Sequence, residues 1–264
     1  MVRRELSGHD VVGIRADNPG PFSLDGTNSW VVGREPAFLI DPGPHLPEHL
    51  DAVSEEIDER GGLGAILLTH DHPDHAEAVP EMMMRFSPTL LAAARGASAT
   101  LLRDGDRYGP FEVVALPGHA PDHLVFITGG VAFTGDAVLG EGSVFIAPDP
   151  GALRGYLAGL ERLRGRAPEV LAPGHGPEVT DPQAKLTQYI DHRLARESAL
   201  IAALEAGQRT VDELVRSVWA DAPATLRPAV EVTLAAHLDK LDEERLLPEG
   251  VERPKWPVAW LEHG

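Results

Sequence analysis

Four side chains able to hold a metal ion fall within six residues. They are His70, His72, Asp74 and His75, in the run Thr69-His70-Asp71-His72-Pro73-Asp74-His75. Imidazole nitrogen and carboxylate oxygen suit zinc, iron or manganese. The run follows the apolar stretch Ala65-Ile66-Leu67-Leu68, and a loop at a strand end can fan such side chains toward one point. Three more candidates have the same setting: His119 in Leu116-Pro117-Gly118-His119, Asp136 in Phe133-Thr134-Gly135-Asp136, and His175 in Ala172-Pro173-Gly174-His175-Gly176. A glycine directly precedes each of the three, which lets the backbone turn sharply and come close to a site. The chain has no cysteine, so thiolate sites and disulfides are excluded. Seven ligands exceed the roughly four that one zinc takes. They suit two metals with one carboxylate bridging. Two metals about 3.5–4 Å apart can share a hydroxide, and metal binding lowers the pKa of water from about 15.7 toward roughly 7.

Short strands alternating with helices must position these groups. Strands are predicted at 30–33 and 37–40, around a turn at Arg34-Glu35-Pro36, and at 65–68, 90–94, 111–116, 124–128, 131–134 and 169–172. Helices are predicted at 46–60, 75–86 and 152–164, the last from the stripe Leu153, Leu157, Leu160, Leu163. The character changes after Gly176. Asp181-Pro182 starts a helix that runs to Gly207, Thr210 and Glu213 have capping-box spacing, and Val230, Leu234, Leu238 and Leu241 mark a third helix. Residues 248–264, rich in Pro and Trp, are expected to form a small hairpin. A boundary near 180 divides a catalytic domain, 1–180, from a helical or winged-helix-like domain, 181–264.

Several residues have two readings. Asp41 ends a strand and either fixes a ligand histidine through a hydrogen bond or serves the turn before Pro42-Gly43. Asp122 and His123 face the substrate or fill a loop, and the loop role is preferred. Asp71 is read as solvent-facing. His9, His45, His49, His192, His237 and His263 lack motif context and are read as structural or exposed. Met82-Met83-Met84 is read as core or pocket lining, and Trp219, Trp256 and Trp260 as anchors of a small C-terminal core.

Composition is that of an ordinary globular protein, with 43% hydrophobic and 24% charged residues among 264. The start carries no apolar run of the kind a secretory leader needs, and no stretch reaches the roughly 18 apolar residues of a membrane helix. A cytoplasmic location without membrane contact is expected. The net charge of −18 disfavours non-specific binding to nucleic acid or anionic membrane. From 207 to 264 there are seven Lys/Arg against eleven Asp/Glu. A role for this tail in shaping the active-site cleft or in dimerisation is therefore preferred to nucleic-acid binding.

The pattern HxHxDH, followed by a spaced His, an Asp and a final His, resembles the metallo-β-lactamase superfamily, and its motifs cover roughly residues 25 to 178. The resemblance implies a four-layered αββα sandwich of the α/β class with metals at one edge. It implies that His70, His72 and His119 bind one metal, that Asp74, His75 and His175 bind a second, and that Asp136 bridges. It also implies that Asp74 orients the bridging hydroxide as the catalytic residue. The expected cofactor is two zinc ions, with iron or manganese as alternatives. The bridging Asp136 resembles the glyoxalase-II-like and RNA-processing branches more than the antibiotic-degrading enzymes. Asn18-Pro19-Gly20-Pro21-Phe22, Gly26-Thr27-Asn28, the runs 135–142 and 173–177, and Tyr189-Ile190-Asp191-His192-Arg193 resemble the beta-lactamase-like protein 2 group with its winged-helix-like C-terminal domain. Some members of that group are single-strand-specific endoribonucleases.

The expectation is thus a dinuclear metal-dependent hydrolase whose metal-bridging hydroxide cleaves an ester, thioester or phosphodiester. The resemblance favours single-stranded RNA, and the acidic charge favours a small acyl ester or thioester. The Glu-Tyr that follows the last histidine in typical glyoxalase II is missing, and so is a long RNA-clamping insertion. Two further readings are a mononuclear iron oxidoreductase like the persulfide dioxygenases, which share this fold and motif, and a non-enzymatic interaction protein with a closed structural metal site.

Overall fold

Period-two alternation of apolar residues builds two sheets that share one core. The computed structural model describes residues 2–86, 90–96 and 100–255. The first sheet runs β1 (Val2–Glu5), β2 (Val11–Arg15), β3 (Asn28–Val32), β4 (Ala37–Ile40), β5 (Leu63–Leu67), β6 (Leu90–Ala93) and β7 (Thr100–Leu101), in that spatial order. The second holds β8 (Arg107–Tyr108), β9 (Phe111–Ala115), β10 (Leu124–Thr128), β11 (Val131–Gly135) and β12 (Val170–Pro173), ordered β12-β11-β10-β9-β8. Side chains on successive strand residues point to opposite faces. Trp30, Ile40 and Leu67 therefore face inward and meet Phe111, Val113, Phe126 and Phe133 of the second sheet. Their neighbours Val31, Leu39 and Ile66 face outward and pack under Leu50, Val53 and Ile57 of α1 (Pro47–Glu59) and Met82 of α3 (Val79–Arg85).

The same alternation serves the second sheet. Val114, Val125, Ala132 and Leu171 lie under Leu153, Tyr156, Leu160 and Leu163 of α4 (Ala152–Gly165) and Leu186, Tyr189 and Ile190 of α5 (Pro182–Glu205). The result is helix, sheet, sheet, helix: the αββα sandwich that the motif implied. The predicted helix 75–86 is two short ones, α2 (Pro73–Ala76) and α3. They break because the Ala78 N–H bonds to the Gly43 carbonyl and Pro80 has no N–H to give.

A fourth cluster joins the second half of α5 (Leu200, Ala203, Leu204) to α6 (Val211–Val218) and α7 (Arg227–Glu243). Asp181 caps α5 by accepting from Ala184 N, and Thr210 and Glu213 form a complete capping box on α6. Among the described residues no strand follows β12, and residues 248–255 hold none of the predicted hairpin. The rest of that prediction, with Trp256, Trp260 and His263, lies outside the described residues. No described helix is long and apolar enough to cross a membrane.

Parallel pairing places the functional loops. β4 pairs parallel with β5, and β11 with β12, so their carboxyl ends open to one edge of the sandwich. The two sheets are clasped there. The amide of Asn28 donates to Gly174 O, its side chain donates to Pro173 O and Gly176 O, and Leu124 N donates to Thr69 O.

Candidate metal centre

At that edge all seven predicted ligands converge. The loop after β5 supplies His70 and His72, and the single turn of α2 turns Asp74 and His75 inward. His119 comes from the β9–β10 connection, Asp136 from the end of β11 and His175 from the end of β12. Ligand atoms group within 4.8 Å of one another in three sets: His70, His72 and His119; His70, His75 and Asp136; and Asp74, His75 and His175. Asp136 faces both ends of the cluster. Its Oδ1 is 3.4 Å from His75 Nε2, and its Oδ2 is 3.2 Å from His175 Nε2 and 3.6 Å from His119 Nε2. His175 Nε2 is also 3.2 Å from Asp74 Oδ2, and His72 Nδ1 stands 3.0 Å from His119 Nε2.

All three of the preceding glycines are obligatory: at Gly118, where φ is +147°, a Cβ would fall 2.7 Å from the Tyr156 Cβ. At Gly174 a Cβ would fall 2.5 Å from Asp136 Oδ1 and 2.6 Å from the His75 ring. At Gly135, where φ is +45°, it would fall 2.4 Å from Thr69 Oγ1 and 2.9 Å from His123 Nε2.

The hydrogen bonds around the cluster aim ring nitrogens inward. His75 donates from Nδ1 to Asp41 Oδ2 at 2.9 Å, and His175 donates from Nδ1 to the Gly26 carbonyl at 3.2 Å. Each is thereby held with its Nε2 aimed at the carboxylates. Asp41 also accepts from Thr69 N at 2.8 Å and from Thr69 Oγ1 at 2.7 Å, and that hydroxyl lies 3.0 Å from His70 Nδ1. The hydrogen bond expected from Asp41 to a candidate ligand histidine is made to His75. His70 Nε2, His75 Nε2 and Asp136 Oδ1 are buried without a hydrogen-bond partner. Buried polar atoms without partners are costly, and these converge on a common space.

Charge tells the same story. Burial drives His70 far below its ordinary range and His119 down to about 3. Burial also opposes charge on His175, but Asp136 and Asp74 overcome it and lift the ring to about 9. For Asp74 burial acts upward, and His75 and His175 outweigh it and hold the carboxyl at about 2. The buried Asp136 and the half-buried Asp74 thus draw positive charge onto neighbouring imidazoles. Divalent cations would meet the same demand, and a mixed nitrogen and oxygen donor set fits zinc, iron or manganese.

Three further side chains hold the cluster in place: Thr27 and Thr69, given no such role from the sequence, and His123, given only a loop role. Thr27 Oγ1 donates to Asp74 Oδ2 at 3.1 Å and itself accepts from Asn18. Thr69, inside the motif, links Asp41 to His70. His123 is buried, accepts from the Asp136 backbone N–H at 3.1 Å and stacks on His70 with centroids 4.9 Å apart. The loop role preferred for it is thus one of holding the ligand loop. No spacing rule marks Thr27 or His123, since each acts through contacts between segments distant in sequence. Asp71 is exposed as predicted, Met82 is core, and Met84 is exposed rather than pocket lining.

A cleft of about 550 Å³ opens over the cluster. Asp74, His119, Asp136 and His175 form its floor, and the loops 18–24 and 139–145 and the start of α7 form its walls. Among the described residues none that line it is Lys or Arg. The C-terminal helices brace the second loop. Tyr189 accepts from Leu139 N and donates to Gly142 O, and Arg193 donates to Ser143 Oγ and the Val144 carbonyl.

Comparison with known proteins agrees with this geometry. Residues 23–111 and 99–175 match the family model of the Metallo-beta-lactamase superfamily. An atrochrysone carboxyl ACP thioesterase from Aspergillus chevalieri is 35% identical over 259 residues, covering 89% of this chain and 82% of that protein. The beta-lactamase-like protein 2 homolog of Drosophila melanogaster is 28% identical, covering 89% and 88%. The crystal structure of a beta-lactamase domain protein from Burkholderia ambifaria aligns with TM-score 0.75 at 22% identity, over 94% of this chain and 91% of that one, and shows the fold. The chain belongs to the metallo-beta-lactamase superfamily, as an enzyme of its hydrolase class.

Proposed function

We propose that this chain is a two-metal hydrolase of acyl thioesters, with zinc as the metal. His70, His72 and His119 would hold one ion, Asp74, His75 and His175 the other, with Asp136 between them. The observation that carries the substrate class is the cleft, which is apolar, free of cationic side chains among the described residues, and floored by the His/Asp cluster. The 35% identical relative is named as a thioesterase, which supports the same reading.

Bound there, the metals would supply hydroxide at neutral pH and polarise the acyl carbonyl. The chain's own residues do the positioning. Thr27 fixes the Asp74 carboxylate, which stays ionised and acceptor-only at neutral pH and orients the attacking water. Asp41 and Thr69 fix the ring orientations of His75 and His70. Hydrolysis adds the oxygen of water to the acyl carbon and breaks the C–S bond. The carboxylic acid forms, and a proton of the water goes to the departing thiolate.

RNA fits this cleft poorly. Phosphates are bound through Lys and Arg, and the cleft presents Asp74 and Glu141 instead. Residues 181–264 are accordingly proposed as a helical domain that closes the cleft, not as a nucleic-acid module.

The test sets zinc-loaded protein, metal-stripped protein and His72→Ala against a panel of acyl thioesters and an end-labelled single-stranded RNA. Thioester turnover that needs the metal, and falls on the order of a hundred-fold or more in His72→Ala, is expected. RNA cleavage without thioester turnover would overturn the substrate class. One tightly bound iron per chain, with no hydrolysis, would favour the oxygenase reading.

A further inference from the structure

Part of the cleft wall takes no share in holding metal. Phe22 and Phe145 meet edge to face, with centroids 6.1 Å apart and 77° between the planes. Phe145 also lies against the His119 ring at 4.7 Å, so the aromatic pair begins where the ligand cluster ends. Leu24, Val144, Leu226 and Ala229 continue the same lining. Leu226 directly precedes α7 and Ala229 lies in its first turn, a segment that supplies no ligand candidate among the described residues.

We infer that this wall is the acyl subsite, that it selects a bulky, uncharged, aromatic acyl group, and that α7 limits the size it accepts. The inference rests on the thioester reading for the bond that is broken. Three features carry it. First, a cleft of about 550 Å³ is far larger than a short acyl group needs and lies in the range that encloses whole ring systems. Second, Phe145, partly exposed between Phe22 and the His119 ring, gives the wall an aromatic surface of the kind that rings pack against in offset and edge contacts. Third, among the described residues the wall has no cation, and Glu141 beside it disfavours an acyl group ending in a carboxylate. The α7 wall is also tied to the opposite lip. Ile146 N donates to Thr233 Oγ1 of α7 at 3.4 Å, and Arg193 of α5 holds Ser143 and Val144. The appended helices thus give the subsite a fixed width, and this accounts for their attachment to a sandwich that already holds every ligand.

The experiment compares 2-naphthoyl and acetyl thioesters of the same neutral thiol on zinc-loaded wild type, Ala229→Trp and Phe22→Ala. Ala229 is partly exposed at the cleft, so a tryptophan there fills the subsite without entering the core. Ala229→Trp is expected to lower the naphthoyl-to-acetyl ratio of kcat/KM at least ten-fold, mostly through KM, and Phe22→Ala to lower it several-fold. Zinc content, measured on each variant, is expected to stay constant. A second readout needs no turnover: calorimetric binding of a non-hydrolysable naphthyl ketone analogue of the thioester. Binding that weakens in both variants supports the subsite even where wild type hydrolyses no thioester, an outcome that sinks the hydrolysis reading alone. An unchanged ratio together with unchanged analogue affinity, in folded and metal-loaded variants, overturns the subsite.

Discussion

Asp41 shows how one side chain sets the character of the site. Its carboxylate accepts from Thr69 N, Thr69 Oγ1 and His75 Nδ1, and it is buried. Its backbone sits at φ +52°, a conformation that non-glycine residues seldom adopt. The turn before Pro42-Gly43 therefore aims Asp41 inward, so its two sequence readings are both realised in one residue. Asp41→Asn preserves shape but puts an amide N–H against a donor in either orientation, because both carboxylate oxygens already accept. His75 then loses its fixed tautomer, and His70 loses its link through Thr69. Zinc affinity is expected to fall about 10–100-fold, read by competition with a chromophoric chelator. An affinity within two-fold of wild type would mean that Asp41 serves only the turn.

Among the elements, α7 is the most deeply enclosed part of the C-terminal region. Val230, Val232, Leu234, Ala235, Ala236, Leu238 and Leu241 are all buried on it, together with His237. Neither ring nitrogen of His237 has a hydrogen-bond partner, and Glu197 Oε2 stays 3.9 Å away. Burial lowers the ring to about 3. An unfolded histidine binds its proton near 6.5. Stability is therefore full above about pH 6.5 and drains as pH falls toward the folded value, because only the unfolded chain takes up the proton. His237→Leu removes this drain. Its stability relative to wild type should improve by about 1 kcal/mol between pH 7.5 and pH 5.5, read by urea unfolding of metal-free protein. A difference that does not change with pH would show that His237 is not buried neutral. The same enclosure explains what the sequence could and could not reveal. The central strands, α4 and the caps of α5 and α6 were legible, because alternation, a helical stripe and capping residues are local signals. The seven ligand candidates were legible because they cluster in sequence or follow glycine at strand ends. The β1–β2 pair was not, since Val2-Arg3-Arg4-Glu5 is a charged, largely exposed edge strand whose pairing is its only mark. Nor were β7 and β8, each two residues long. The contact of Thr27 with Asp74, and the hold of His123 on the Asp136 backbone, stayed hidden because they depend on which distant loop each residue meets.

Across the whole molecule the net charge of −18 and the cation-free cleft act in the same direction. An acidic surface repels anionic substrates over a distance set by salt, about 10 Å at 0.1 M and longer at lower ionic strength. A neutral thioester approaches without such a field effect. With a naphthoyl thioester of an uncharged thiol, kcat/KM should stay within about two-fold from roughly 20 to 200 mM salt, because no charge on the substrate is there to be screened. With the same acyl group on a phosphate-bearing thiol such as coenzyme A, kcat/KM should begin lower and rise several-fold over that range, as screening relieves the repulsion. Stopped-flow or steady-state assays at constant pH and constant zinc separate the two series. A kcat/KM that instead falls with salt for the anionic carrier would reveal a basic track leading to the cleft. That result would reopen RNA as a substrate, since a surface that steers phosphates toward the metals has no use for an uncharged leaving group.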